Sequence, residues 1–262
     1  MPSTFKAVSK DGTEITCEVA GSGPPLILAH GTADDRLGFD RLAPLIADRF
    51  TLYLMDRRGR GLSKDSPGYT IEREFEDIDA VAAAISTRCG KPVDLFAHSY
   101  GALCAIGAAR ISRSLGRLML YEPPPGTPST LVERMVELDA RGDYEGVMRV
   151  QFCELQHVPA EQFERLKADS TRWARYLDFA TTISREFVNA RQFLIQDGEF
   201  AAYAHAVRFI VGEKSFPVLV RHTETAMRAF PRADKAVLPG QGHNALRQGP
   251  ETVAAEVRRF FA

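Results

Sequence analysis

Val93-Asp94-Leu95-Phe96-Ala97-His98-Ser99-Tyr100-Gly101-Ala102 decides the fold. A short apolar run leads without a spacer into a serine, and a small, apolar helical stretch, Gly101 to Ser112, follows at once. A strand that turns directly into a helix leaves almost no room at the bend. The positions two before and two after the serine therefore have to be small, and here they are Ala97 and Gly101. The bend presents the Ser99 hydroxyl. It also aims the first backbone N–H groups of the helix at the serine oxygen, where they can stabilise developing negative charge.

The same alternation extends in both directions. Leu26–Ala29, Leu52–Met55, Leu118–Tyr121, Phe209–Val211 and Ala236–Leu238 are further short apolar runs, as buried parallel strands require. Between two of them, Ile71, Phe75, Ile78, Ala82 and Ile85 recur at helical spacing behind Thr70, which is placed to cap. The last helix starts at Pro250 and buries Val253, Val257 and Phe260 or Phe261. Ahead of the first run, Phe5–Ser9, Asp11-Gly12 and the alternating Ile15, Cys17 and Val19 spell a hairpin. Strand–helix alternation predicts an α/β fold, a doubly wound, mostly parallel sheet. From Pro123-Pro124-Pro125-Gly126 to about Ala204 no strand pattern occurs. Five amphipathic segments (Thr130–Arg141, Tyr144–Leu155, Glu161–Asp169, Trp173–Arg185 and Phe187–Gln196) predict a helical cap inserted between two strands. The expected organisation is a core over 1–125, a cap over 126–205 and a second part of the core over 206–262.

Composition fits this reading. In 262 residues, 33 Lys and Arg against 34 Asp and Glu leave a net charge of −1, which argues against a nucleic-acid or membrane-surface partner. No apolar run reaches the ~18 residues needed to span a bilayer. The N-terminal segment lacks a signal-peptide core, and the four scattered cysteines lack any C-x-x-C. A cytoplasmic protein with free thiols is expected. No phosphate-binding glycine loop occurs, so neither a nucleotide, another cofactor nor a metal is implied.

Four more segments make the chain resemble the α/β-hydrolase superfamily over essentially its whole length. His30-Gly31 follows the first buried strand, where the superfamily has its oxyanion loop. Asp56-Arg57-Arg58-Gly59-Arg60-Gly61-Leu62-Ser63 is similar to its D-x-R-G-x-G-x-S loop. Phe209 to Lys214 resembles the strand returning from the cap, and Leu238-Pro239-Gly240-Gln241-Gly242-His243 resembles the loop that delivers the catalytic histidine. The resemblance implies a serine hydrolase with Ser99 as nucleophile and His243 as base. The backbone N–H groups of Tyr100 and Thr32 would form the oxyanion hole. Ala97, where the G-x-S-x-G pattern has glycine, is a small departure. A serine in the nucleophile position excludes the dehalogenase and epoxide-hydrolase branches that use aspartate.

The acid departs further from the pattern. Many members carry an aspartate three residues after the glycine that closes the strand beyond the cap, and here that residue is Ser215. Some branches place the acid one strand earlier, which is Glu122, in Leu120-Tyr121-Glu122-Pro123. Glu122 is favoured over Glu213, and the order Ser99, Glu122, His243 keeps the family sequence of roles. Asp56 and Arg58 read as ties that hold their loop. His30 is expected to shape the oxyanion loop, His98 to pack under the turn, and His222 to be a surface helix residue. For His157 and His205, in or near the cap, substrate contact and surface placement are equally open. Trp173, Tyr176, Phe179 and Phe152, with Phe187 and Phe193, are candidates to line a pocket or simply to pack. If they line it, the substrate is mainly apolar. The expected activity is cleavage of an ester, lactone or related acyl bond of a small molecule. Acyl transfer, C–C bond hydrolysis or cyclisation on the same residues is the alternative, and a non-catalytic ligand-binding protein is a third reading.

Overall fold

The structure is a computed structural model that describes residues 3–124 and 126–262. It divides into two compact units: a sheet unit of residues 1–31, 35–125 and 195–262, and a helical unit of residues 32–34 and 126–194.

In the sheet unit, the hairpin β1 (Ser3–Val8) and β2 (Glu14–Gly21) precedes β3 (Pro25–Ala29), β4 (Thr51–Met55), β5 (Val93–His98), β6 (Leu115–Tyr121), β7 (Val207–Gly212) and β8 (Asp234–Leu238). The eight strands lie in the order β1-β2-β4-β3-β5-β6-β7-β8. β2 pairs antiparallel with β1 and β4, and all later pairings are parallel. Leu26, Ile27, Leu28 and Ala29 of β3 are fully buried, as a strand covered on both faces must be. The chain leaves β3 for β4 on one side and later returns to β5 on the other. In open α/β sheets, sites form beyond the carboxyl ends of the strands at such a reversal.

Helix α1 (Ile71–Cys89) buries Ile71, Phe75, Ile78, Ala82 and Ile85, and Gly90 ends it in the left-handed conformation. Thr70 precedes it in extended backbone, but its side chain makes no capping hydrogen bond. The sequence expectation of a side-chain cap is corrected there, and the acidic Glu72 and Glu74 in the first turn offset the helix dipole instead. Helix α2 (Tyr100–Ile111) is buried from Tyr100 through Ala108.

The helical unit contains α3 (Ser129–Ala140), α4 (Tyr144–Arg149) running into a π-helical turn (Val150–Leu155), α5 (Ala160–Ala168) and α6 (Ser170–Ala190). Two segments that periodicity separates, Trp173–Arg185 and Phe187–Gln196, are one continuous helix as far as Ala190. The polar Ser184, Arg185 and Glu186 at their junction lie within α6 and do not break it. The insertion also ends earlier than residue 205. Phe200 stacks on Phe230 at 4.2 Å, and the Gly198 N–H donates to the Arg228 carbonyl at 2.8 Å, so residues 195–205 belong with the sheet unit. Helices α7 (Pro217–Met227), α8 (Ala245–Gln248) and α9 (Pro250–Phe261) complete the sheet unit. Among the described residues, no helix is long and apolar enough to cross a membrane.

Candidate active site

The bend after β5 is as cramped as its sequence requires. Ser99 has φ +53° and ψ −124°, a conformation rare for a residue with a side chain. Its N–H is held by the Tyr121 carbonyl at 2.8 Å. A Cβ on Gly101 would lie 2.7 Å from the Ala29 carbonyl oxygen, and it would come closer still to that of His30. Gly101 is therefore fixed by β3 rather than by its own helix. A Cβ on Gly31 would sit 2.9 Å from the Ser99 Cβ, so glycine there keeps the hydroxyl uncrowded. Ala97 is fully buried within the strand, and its methyl group is accommodated.

Three groups far apart in sequence form one hydrogen-bonded row. His243 Nε2 lies 3.1 Å from Ser99 Oγ, and His243 Nδ1 lies 2.6 Å from Glu122 Oε2. Glu122 is fully buried at the end of β6 with φ +46°. Its other oxygen, Oε1, accepts the Gly212 N–H from the end of β7 at 2.7 Å. A buried carboxylate with both oxygens engaged fixes the proton on His243 Nδ1 and leaves Nε2 free to accept from the serine. The competing carboxylate is elsewhere: Glu213 accepts the Gly240 N–H at 2.7 Å in an exposed position and supports the histidine loop from outside. Ser215, which stands where many relatives carry an acid, is half-buried, and its hydroxyl has no hydrogen-bond partner among the described residues.

The remaining candidates have defined places. Tyr100 opens α2 and is fully buried, its hydroxyl 3.1 Å from that of Tyr69. Thr32 opens the short segment 32–34 of the helical unit. His30 is buried, with Nε2 accepting the Arg57 N–H at 3.1 Å, which leaves Nδ1–H to donate to the Gly31 carbonyl at 2.9 Å. That locks the chain direction after β3. Asp56 is fully buried and accepts from the Arg36 and Leu62 N–H groups, both at 2.8 Å. Arg57 meets Glu74 and Arg58 meets Asp77 with two hydrogen bonds each, and all four side chains are buried. Burial pushes Asp77 up to about 6 in spite of Arg58. These pairs tie the loop after β4 to α1.

His222 departs from the expectation of a surface residue. It is half-buried, and its Nδ1–H donates to the Pro123 carbonyl at 2.9 Å, with burial holding the ring below its ordinary pKa. His157 and His205 are exposed. Phe152, Tyr176, Phe179 and Phe187 are 4–8% exposed, inside the apolar core of the helical unit. Phe152 meets Tyr176 edge-on at 5.1 Å, and Trp173, half-buried, meets Phe163 at 5.4 Å. These contacts account for the aromatic spacing as packing within that unit.

Two side chains beneath the row were not singled out for function by the sequence. His98 does more than pack under the turn: its Nε2–H donates to the His243 carbonyl at 2.9 Å. Tyr121, read only as a strand residue, donates its hydroxyl to the Gly242 carbonyl. The available signal was their position, each one residue before a site residue at a strand end.

Residues 26–256 match the profile described as Alpha/beta hydrolase family. The chain belongs to the α/β-hydrolase family. Among solved structures, this α/β hydrolase superposes on an alpha/beta hydrolase from Sphaerobacter thermophilus with a TM-score of 0.84 and 28% identity, covering 98% of this chain and 100% of that one. It is 25% identical over 254 residues to a 2-(acetamidomethylene)succinate hydrolase of Mesorhizobium japonicum, covering 92% of this chain and 89% of the relative. It is 36% identical over 100 residues to "Probable oxidoreductase EphD" of Mycobacterium tuberculosis, covering 36% of this chain and only 17% of that protein's length.

Proposed function

We propose that this α/β hydrolase is a serine hydrolase that cleaves an ester, lactone or related acyl bond through an acyl-enzyme on Ser99. One observation carries the reading: Glu122, His243 and Ser99 stand in a continuous hydrogen-bonded row, with the serine on a strained bend. In this mechanism Ser99 Oγ attacks the carbonyl carbon as its proton passes to His243 Nε2. Glu122 stabilises the imidazolium without taking its proton. The oxyanion is met by the Tyr100 N–H at the first position of α2, with Thr32 as the second donor expected from the sequence. The imidazolium then protonates the leaving group, and water, activated by the same histidine, releases the acid.

The resemblance to a 2-(acetamidomethylene)succinate hydrolase extends the proposed substrates to acyl bonds on nitrogen, since esters, lactones and amides share the tetrahedral adduct. The test is covalent labelling with a fluorophosphonate probe. Wild-type protein should be labelled on Ser99, and Ser99→Ala should not be labelled at all. Folded wild-type protein that resists the probe, or a label on any other residue, would overturn the proposal.

A further inference from the structure

We infer that His98 and Tyr121 are positioning residues that clamp the His243 loop by its backbone carbonyls, an inference that rests on the role proposed for His243. The two residues are direct register partners on the neighbouring parallel strands β5 and β6. Each immediately precedes a member of the row, Ser99 or Glu122. Ser99 and Glu122 lie one residue past their strands with positive φ, so the backbone turns their side chains away from those of His98 and Tyr121, and the two pairs form two levels at one sheet edge. The upper level meets the His243 ring, and the lower level meets the main chain that carries it. Tyr121 Oη–H donates to the Gly242 carbonyl and His98 Nε2–H to the His243 carbonyl, so consecutive carbonyls are held from consecutive strands.

Within the loop itself the Gly242 carbonyl also accepts the Ala245 N–H at 3.2 Å, a turn bond that does not anchor the loop to the sheet. The first half of the loop is tied by the Lys214 N–H to the Gln241 carbonyl and by the Gly240 N–H to Glu213, but those contacts stop at residue 241. Gly242 also packs its Cα against Gly212, where a Cβ would lie 2.8 Å away, but that contact limits approach on one side without fixing the direction of the carbonyls. The rings also pack against one another at tilted angles. His98 lies 5.0 Å from the Tyr121 ring and 4.7 Å from the His243 ring, so any swing of the lower level would carry the base with it. Burial, reinforced by the neighbouring His243, holds His98 well below its ordinary pKa, which keeps it a neutral single donor. Burial, with Glu122 adding to it, holds Tyr121 protonated.

The experiment compares Tyr121→Phe, His98→Met and His98→Gln with wild type. Phe removes one oxygen, Met fills the histidine volume without a donor, and Gln restores an N–H near the position of Nε2. Turnover of a p-nitrophenyl ester and the downfield proton signal of His243 Nδ1–H are both recorded. A displacement of the base by about 1 Å should lower kcat roughly 10- to 100-fold in Tyr121→Phe and His98→Met, with KM unchanged. The downfield signal should broaden or vanish in these two variants, and His98→Gln should recover both readouts. A lowered melting temperature with kcat and the signal intact would mean ordinary core packing and would overturn the inference. Failure of wild type to turn over esters or take the probe would instead refute the proposed function. The signal would still decide whether the clamp exists.

Discussion

Replacing Glu122 with glutamine tests the geometry with a change of one atom. Glu122 Oε1 accepts the Gly212 N–H at 2.7 Å, and that donor cannot turn away because it belongs to the end of β7. The glutamine oxygen must therefore stay on Gly212, and its NH₂ must point at His243 Nδ1, 2.6 Å away in the native protein. Two donors cannot face each other, so the imidazole proton moves to Nε2. There it points at Ser99 Oγ, 3.1 Å away, and the ring can no longer accept the serine proton. A triad held in the wrong tautomer loses about 10⁴ in kcat, or about 5.4 kcal/mol of transition-state stabilisation. The side chain keeps its shape and both contacts, the one to His243 Nδ1 with donor and acceptor exchanged, so the fold should be retained. Glu213→Gln is the paired control: it keeps an acceptor for the Gly240 N–H at an exposed site. A loss of at most ~1 kcal/mol there corresponds to no more than about fivefold in rate. Steady-state turnover of p-nitrophenyl esters of graded chain length, together with the second-order rate of fluorophosphonate labelling and circular dichroism, measures all of this. Turnover of Glu122→Gln within tenfold of wild type, or an equal fall in Glu213→Gln, would refute the reasoning.

Other expectations follow from strain, close approach and burial. Ser99→Gly should be more stable than Ser99→Ala by about 1 kcal/mol, because only glycine relaxes at φ +53°; equal melting temperatures would show that the bend stores no strain. Gly101→Ala should destabilise the protein by about 1–3 kcal/mol and abolish labelling, because β3 must retreat from the new methyl group; an unchanged melting temperature and labelling rate would contradict this. His98, held below its ordinary pKa of 6.5, binds its proton more weakly in the folded chain than in the unfolded one. Its contribution to stability is therefore full above pH 6.5 and is lost as pH falls through the folded value, with a slope of up to about 1.4 kcal/mol per pH unit. His222 adds to that slope with the same sign. Urea midpoints between pH 7 and pH 5 should thus fall less steeply in His98→Gln than in wild type, and parallel curves would count against the burial argument.

The strands and the bend that carries Ser99 were legible in the sequence because their signals are local, whereas His243 was named from its resemblance to a family loop. Four consecutive apolar side chains demand a strand covered on both faces, and a serine between small residues at a strand–helix junction can adopt little else. The helical unit was less legible, and one long helix read as two, because amphipathic periodicity tolerates a polar break such as Ser184 to Glu186 that tertiary packing then absorbs. For the aromatic set, spacing alone could not separate packing from ligand contact, since both place rings on one helix face.

Which carboxylate faces the imidazole was decided by the sheet. Glu122 and Glu213 both follow an apolar strand in the chain, and only the resemblance to one branch of the superfamily favoured Glu122. The register of β6 against β7 brings the Gly212 N–H to one oxygen of Glu122 and leaves the other for His243. Likewise, a tyrosine ending one strand and a histidine ending the next look like filling until a loop more than a hundred residues later lays its carbonyls against them. Short-range sterics are written along the chain, whereas the pairing of donors and acceptors across it exists only once the strands lie side by side.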